Sequence, residues 1–398
     1  MVATHHPDLL AEAVSRLGSE KAFEVLARAR QLEAEGRTIV HMEVGEPDFD
    51  TPAHIKRAGI EAIEHNFSHY TPSAGIVELR DVIAEYAGTF RGIAPFHRDE
   101  VVVAPGAKPV IWNILSALLD PGDEMVYADP AYPAYASCAS YLQAKAVPVP
   151  LLESRNWQLD LDVLAKTVSA KTKVLVINSP HNPTGGVLSI EDLRAIAELA
   201  IKHDILVISD EIYSRNLYDG EFVSIATLPG MRERTIIVDG FSKAYAMTGW
   251  RLGYAIMPAR LAKTVTLFAN NTYSCVATFV QRAGIAALLG DDRPIQEMNS
   301  IFHQRRDRIV KGLNAIPNVS CTTPMGAFYA FPNFSKITKD DMHLAHFLLE
   351  EGGVAALGGS CFGKAGGGYL RFSYAASFEN IDLALDRVAN ALTTYRTS

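Results

Sequence analysis

Four cysteines, Cys138, Cys275, Cys321 and Cys361, are scattered through 398 residues with no Cys-x-x-Cys pair and no metal-ligand spacing. Thiols used that way suit a reducing compartment, so a cytoplasmic protein without a metal is expected. No uninterrupted apolar run approaches the ~18 residues of a membrane span, and no membrane partner is expected. The opening stretch MVATHHPDLLAEAVSRL has no basic segment followed by an apolar one, so no signal peptide is expected. His5 and His6 within it read as solvated and receive no role. A formal net charge of −8 argues against a broad nucleic-acid surface. Gly-x-Gly-x-x-Gly is missing, which argues against a nicotinamide dehydrogenase. Internal repeats and low-complexity linkers are missing too.

What is present is a globular balance, with 48% apolar and 21% charged residues. The length exceeds one compact core, so two domains are expected. Between about 100 and 260, short apolar runs alternate with helical patterns. The runs are EVVVA (100–104), EMVYA (124–128), KVLVIN (173–178), ILVIS (205–209), TIIVD (235–239) and LGYAIM (252–257). IEDLRAIAELAIKHD (190–204) is one of the intervening helices. This alternation predicts an α/β fold with a mostly parallel central sheet, covered on both faces because its strands are apolar at every position. A helix is expected over 20–36. A polar, arginine-rich helix (295–314), another near 340–351 and the strand YLRFSYA (369–375) predict a smaller α+β domain. The expected division is 1–47 as an N-terminal arm and part of the small domain, 48–290 as the large domain, and 291–398 as the small C-terminal domain.

Ligands of open α/β sheets collect beyond the carboxyl ends of the strands. PGAKP follows the first run, DPAYPAY the second, SPHNPTGG the third, DEIYS the fourth and GFSK the fifth. Five such loops converging on one rim make a site. Gly106 and Ala107 would open the helix KPVIWNILSALL, whose free N–H groups suit a phosphate. Ser242 and Arg251 would add a hydroxyl and a guanidinium fork. Tyr132 offers a face for a stacked ring. Asp210 could keep a ring nitrogen protonated, while Asn182 and Tyr213 could hydrogen-bond a phenolate oxygen. Lys243 would be the amine that condenses with an aldehyde. Phosphate, pyridine, phenol and aldehyde together describe pyridoxal 5′-phosphate.

The same stretches carry a family resemblance over nearly the whole chain. GEPDFDTP (45–52), YTPSAGIVELR (70–80), NSPHNPTGG (178–186), SDEIY (209–213), GFSKAYAMTGWRLG (240–253) and YLRFSYA occur in that order. The sequence thereby resembles the class I/II, aspartate aminotransferase-like, family of fold-type-I pyridoxal-phosphate aminotransferases. The resemblance implies the PLP-transferase fold, Lys243 as the Schiff-base lysine, Asp210 as partner of the pyridine nitrogen, and Asn182 and Tyr213 at the ring oxygen. It also implies Tyr132 as the stacking residue, with Gly106, Ala107, Lys108, Ser242 and Arg251 around the phosphate. Arg371 is implied as the clamp on the substrate α-carboxylate, with Gly45, Tyr132 and Asn182 beside it. Tyr70 resembles a tyrosine that reaches the neighbouring subunit's phosphate, which implies a homodimer with shared active sites.

Gly240 departs from the pattern, standing where some members carry a phosphate-binding serine. Tyr132 stands where a tryptophan occurs in some relatives. Lys108 resembles a position where some aspartate-using relatives place a lysine against the distal carboxylate. Trp112 and Tyr132 leave aromatic or branched substrates open. The expected substrates are an amino acid, aspartate or aromatic, and a 2-oxo acid such as 2-oxoglutarate. A lyase, decarboxylase or synthase on the same fold stays open, since sequence does not set which bond at Cα lies perpendicular to the ring. A cofactor-sensing regulator would need a helix-turn-helix module, for which no segment is expected. Of the remaining residues, Glu211 reads as structural in a helix-capping pair, Tyr135 as packing, and Asn178, Pro180 and Pro183 as shaping their loop.

Overall fold

The computed structural model describes residues 10–396, so His5 and His6 lie outside the described residues. Its centre is an eight-stranded sheet. Across the sheet the order is Val101–Ala104, Gly253–Ile256, Thr235–Gly240, Leu206–Asp210, Thr172–Asn178, Glu124–Asp129, Lys145–Leu152 and Gln158–Leu159. The five strands from Thr235–Gly240 to Lys145–Leu152 are mutually parallel. Gly253–Ile256 runs antiparallel to both of its neighbours. Val101–Ala104 therefore points the same way as Thr235–Gly240, and all five expected strand ends share one rim.

Apolar residues at every position are needed because both faces are covered. Val101 and Val103 pack with Leu79 and Ile83 of the helix Val77–Arg91 on one face. Val102 and Ala104 pack with Ile111 and Ile114 of the helix Ala107–Leu118 on the other. Each such aliphatic side chain contributes roughly 1.5–3 kcal/mol by leaving water. Helix Val77–Arg91 stops at Gly92, whose φ of 68° is left-handed and suits a glycine cap.

All six strand runs fall on strands, and the helix expected over 190–204 is Ile190–Lys202, capped by Ser189 Oγ on the Asp192 amide. The strand Lys145–Leu152 was not expected. Its sequence, KAVPVPLL, carries Pro148 and Pro150, which remove ladder donors and argue against a strand. It tolerates them near the sheet edge, covered only by the two-residue strand Gln158–Leu159.

Helix Lys21–Ala34 occupies the expected 20–36 stretch. The strand after it, Val40–His41, pairs in parallel with Val354–Ala355. Tyr329–Ala330 and Leu357–Gly358 flank Leu370–Ser373 in an antiparallel three-stranded sheet. Helices Arg293–Ala315 and Phe378–Thr394 cover this region, and Val40 and Met42 share its core with Phe302, Phe328 and Phe372. Val40 and Met42 are thus built into the same core as Ile381, Ala384 and Val388 of helix Phe378–Thr394. Among the described residues no helix is long and apolar enough to cross a membrane.

Candidate active site

The rim of the large sheet opens into a cavity of about 570 Å³, within the range of small-molecule sites. Loops after five strands of the large sheet line it, and Gly45, Tyr329 and Arg371 close it from the side of the smaller sheets. Of the residues expected at a site, Gly45, Ala107, Lys108, Tyr132, Asn182, Asp210, Tyr213, Ser242, Lys243, Arg251 and Arg371 all line this one cavity. Gly106 stands just behind the lining. Its φ is +105°, and a Cβ there would come within 2.5 Å of Arg251 Nη2. Tyr70 is not brought in; it is 91% exposed elsewhere on the surface.

Lys243 follows the strand Thr235–Gly240, and its Nζ donates to the Gly45 carbonyl at 2.5 Å. A Cβ at Gly45 would overlap the Tyr329 hydroxyl, so the close approach needs glycine there. Burial first, then the positive charge of Arg371, lowers the lysine from its ordinary 10.5 to about 8. Its amine thus has a sizeable neutral fraction near neutral pH.

Asp210 ends its strand 5% exposed. Tyr135 donates to its Oδ2 at 2.6 Å, and the Ile212 amide donates to Oδ1 at 3.3 Å. No cation pairs with it among the described residues. Burial raises its carboxyl from 3.8 to about 6, with the tyrosine bond pulling the other way. Tyr135 was expected only to pack and is instead the direct partner of this carboxylate. Asn178 fills its expected role, since its side chain joins the Asp210 carbonyl at 2.9 Å to the Asn182 amide at 2.9 Å.

Arg371 is 5% exposed, yet no carboxylate pairs with it among the described residues. Nη1 donates to Asn182 Oδ1 at 3.0 Å and Nη2 to the Glu43 carbonyl at 2.5 Å, while Nε has no partner. The guanidinium lies 4.5 Å from the ring centre of Tyr329, whose hydroxyl is 2.7 Å from that of Tyr213. A buried guanidinium without an anion is costly unless one arrives.

Arg251 takes a left-handed φ of 55° and donates to the carbonyls of Thr248 at 2.9 Å and Pro105 at 3.2 Å. It sits against the first turn of helix Ala107–Leu118, whose leading N–H groups have no intrahelical acceptor. Gly240 has little room for a serine: a Cβ would lie 3.0 Å from the Gly253 Cα and 3.2 Å from the Leu252 carbonyl.

Two further assignments change. Glu211 is structural, but through a buried pair with Arg91 Nε at 2.7 Å rather than as a helix cap. The side chain of Lys108 is engaged by Glu20, whose Oε1 is 2.7 Å from Nζ and also accepts from the Tyr132 hydroxyl. Glu20 carried no sequence signal, since an acidic residue before a helix is ordinary.

This fold and cavity define an α/β enzyme whose cavity sets a buried lysine among a helix start with free N–H groups, a buried carboxylate and a guanidinium without a carboxylate partner among the described residues. A family model described as aminotransferase class I and II matches residues 37–388. The aspartate aminotransferase of Musicola paradisiaca is 37% identical over 391 residues, covering 98% of each chain. The aromatic-amino-acid aminotransferase 2 of Thermococcus litoralis is 38% identical over 89% of this chain and 92% of its own. The solved structure of the Thermus thermophilus aspartate aminotransferase with maleate superposes with a TM-score of 0.92 at 36% identity, covering 96% of this chain and 100% of that one. The chain belongs to the class I and II aminotransferase family and is an aminotransferase, an enzyme that moves an amino group between an amino acid and a 2-oxo acid.

Proposed function

We propose that this aminotransferase uses pyridoxal 5′-phosphate to move the amino group of an L-amino acid, aspartate or aromatic, to a 2-oxo acid such as 2-oxoglutarate in a ping-pong cycle. One observation carries the reading. A buried carboxylate without a cation, Asp210, and a buried guanidinium without an anion, Arg371, line the same cavity as a lysine lowered to about 8. A pyridinium nitrogen would satisfy the first and an amino acid's carboxylate the second. The helix start at Ala107 with Arg251 and Ser242 suits a phosphate, so the residues present fit the cofactor.

When bound, the cofactor supplies an aldehyde that condenses with amines and a protonated ring that draws electrons from the substrate's Cα–H bond. The chain's residues do the rest. Arg371 holds the α-carboxylate by a two-toothed fork and so fixes the Cα–H direction, with Asn182 and Gly45 beside it. Asp210, steadied by Tyr135, keeps the proton on the ring nitrogen. Tyr213 and Asn182 donate hydrogen bonds to the ring oxygen, and Tyr132 stacks on the ring. Lys243, in its neutral form, would take the proton from Cα and deliver it to the cofactor's C4′ carbon, on the other side of the amino nitrogen. The backbone of Lys108 belongs to the phosphate cradle.

The core that Val40 and Met42 share with Phe302 and Phe372 supports a division into a large unit, 48–290, and a small unit, 291–398, joined by 1–47. Tyr70 and three apolar side chains from the same stretch of sequence, Ile60, Ile63 and Phe67, are all exposed. Such a surface supports a homodimer in which Tyr70 reaches the partner's phosphate. Four free thiols support a cytoplasmic location. The aspartate and aromatic relatives support the donors.

Amino donors offered singly with 2-oxoglutarate test the reading: transfer to glutamate is expected, and its loss in Lys243→Ala along with the bound cofactor's absorbance. Ammonia or carbon dioxide released without an acceptor would instead make the protein a lyase or a decarboxylase.

A further inference from the structure

We propose that Glu20 sets the side-chain selectivity of this site by holding its own carboxylate on Lys108 and Tyr132, where the distal carboxylate of an acidic substrate would bind. The proposal rests on the aminotransferase reading above, with Arg371 taking the α-carboxylate.

Glu20 occupies the residue before helix Lys21–Ala34, the usual place for a side chain that caps the helix, yet it makes no capping hydrogen bond. Its carboxylate is spent on the cavity instead. Oε1 lies 2.7 Å from Lys108 Nζ and accepts from the Tyr132 hydroxyl. Lys108 Nζ is 5.7 Å from the ring centre of Tyr132, and all three side chains line the cavity with Lys243 and Arg371. The pair is partly shielded, with the side chain of Glu20 22% exposed and that of Lys108 49%.

The other lysines of the cavity are no substitute. Lys21 is held by Glu24 at 2.8 Å, and Lys243 is the reacting amine. A second carboxylate on the substrate therefore meets no free ammonium at this corner. It must displace Glu20 from Lys108 or lie beside a like charge. An aromatic side chain meets a neutralised corner with the apolar surfaces of Ile111 and Phe23 nearby and displaces nothing. Glu20 thus lowers the affinity for dicarboxylates and leaves the site open to uncharged side chains. Replacing it by glutamine keeps the shape and an acceptor for Tyr132 while freeing Lys108.

Succinate, a dicarboxylate with no amino group, is titrated by calorimetry into the cofactor-loaded enzyme as wild type, Glu20→Gln, and Glu20→Gln with Lys108→Ala. The expected result is two- to fivefold tighter binding in Glu20→Gln, about the worth of a partly exposed ion pair. The double variant is expected to lose that gain. The ratio of kcat/KM for aspartate to that for phenylalanine should rise by a similar factor in Glu20→Gln. An unchanged succinate affinity in the single variant, or a gain that survives removal of Lys108, overturns the proposal. Wild-type enzyme that transfers no amino group from any donor overturns the underlying reading instead, a result separable from the succinate titration.

Discussion

Tyr135 donates its phenolic hydrogen to Asp210 Oδ2 across 2.6 Å, and both groups are buried. The bond favours the ionised carboxylate against a burial that opposes it. Tyr135→Phe should therefore leave Asp210 harder to ionise and a poorer partner for a ring nitrogen. A hydrogen bond to a charged group is worth about 1.5–3 kcal/mol, so cofactor affinity should fall by roughly tenfold or more. Fluorescence titration of the cofactor-free protein would measure it, and an unchanged Kd would remove Tyr135 from the site.

Asp210→Asn should separate stability from function. A carboxyl raised in the fold from 3.8 to about 6 stabilises the folded state while protonated, and that contribution is lost as pH rises through about 6. At pH 7 the ionised group works against the cofactor-free fold by up to about 3 kcal/mol. The cofactor-free Asn variant should therefore be at least as stable as wild type at pH 7, while binding cofactor weakly. Urea denaturation at pH 5 and pH 8 checks it: the wild type should lose stability relative to the variant as pH rises.

Lys243 reacts only as the neutral amine. Its capture by added pyridoxal phosphate should speed up as pH rises towards about 8 and then level off, well below the range of an ordinary lysine. Arg371 is the largest charge holding it down. Arg371→Leu should shift that midpoint upward, whereas Arg371→Lys should shift it less. Stopped-flow absorbance across pH 6–10 is the measurement.

Gly106→Ala and Gly36→Ala form a matched pair. Both glycines have positive φ, +105° and +90°, but only at 106 does a Cβ meet anything, namely Arg251. Gly36→Ala should cost about 1 kcal/mol of stability for its backbone alone. Gly106→Ala should cost more and also displace the Arg251 guanidinium, so phosphate competition for the cofactor site should weaken in that variant only.

Arg91 bridges Glu211 at 2.7 Å and Asp239 at 3.1 Å with its side chain fully buried. Arg91→Met would leave two buried carboxylates without their cation and should lower stability by about 3–5 kcal/mol. Glu211 Oε1 also accepts from Ser209 at 2.8 Å and Ser224 at 2.6 Å, so Glu211→Gln should be milder.

The central strands could be read from sequence because burial on both faces leaves an apolar residue at each position. Lys145–Leu152 could not, because its two prolines carry the opposite signal and only its place near an edge excuses them. Lys243, Asp210, Asn182, Arg251 and Arg371 could be placed because each ends a strand or lies in a strand-end loop or a motif of known order. Tyr135, in the first turn of the helix Ala134–Tyr141, could not be told from Tyr132 just before it until the fold aimed one at Asp210 and the other at Glu20. Glu211 and Glu20 were opaque for one reason. Their partners Arg91 and Lys108 lie far off in sequence, and a single acidic residue near a helix start carries no trace of a distant cation.

Gly240 and Gly253 face each other across the antiparallel pair, and the Phe241 amide donates to the Leu252 carbonyl at 3.2 Å just beyond them. Lys243 and Arg251 thus ride on one excursion of chain whose two feet are nailed together. A Cβ on Gly253 would run into the Gly106 carbonyl carbon and the Ala107 nitrogen at 2.6 Å, which fastens the same excursion to the helix start. The stretch from 240 to 253 therefore behaves as a single cartridge: a grafted replacement would have to arrive whole and at equal length. The corner of Glu20 and Lys108 is fastened by side chains alone. Directed evolution towards new amino donors has its latitude there.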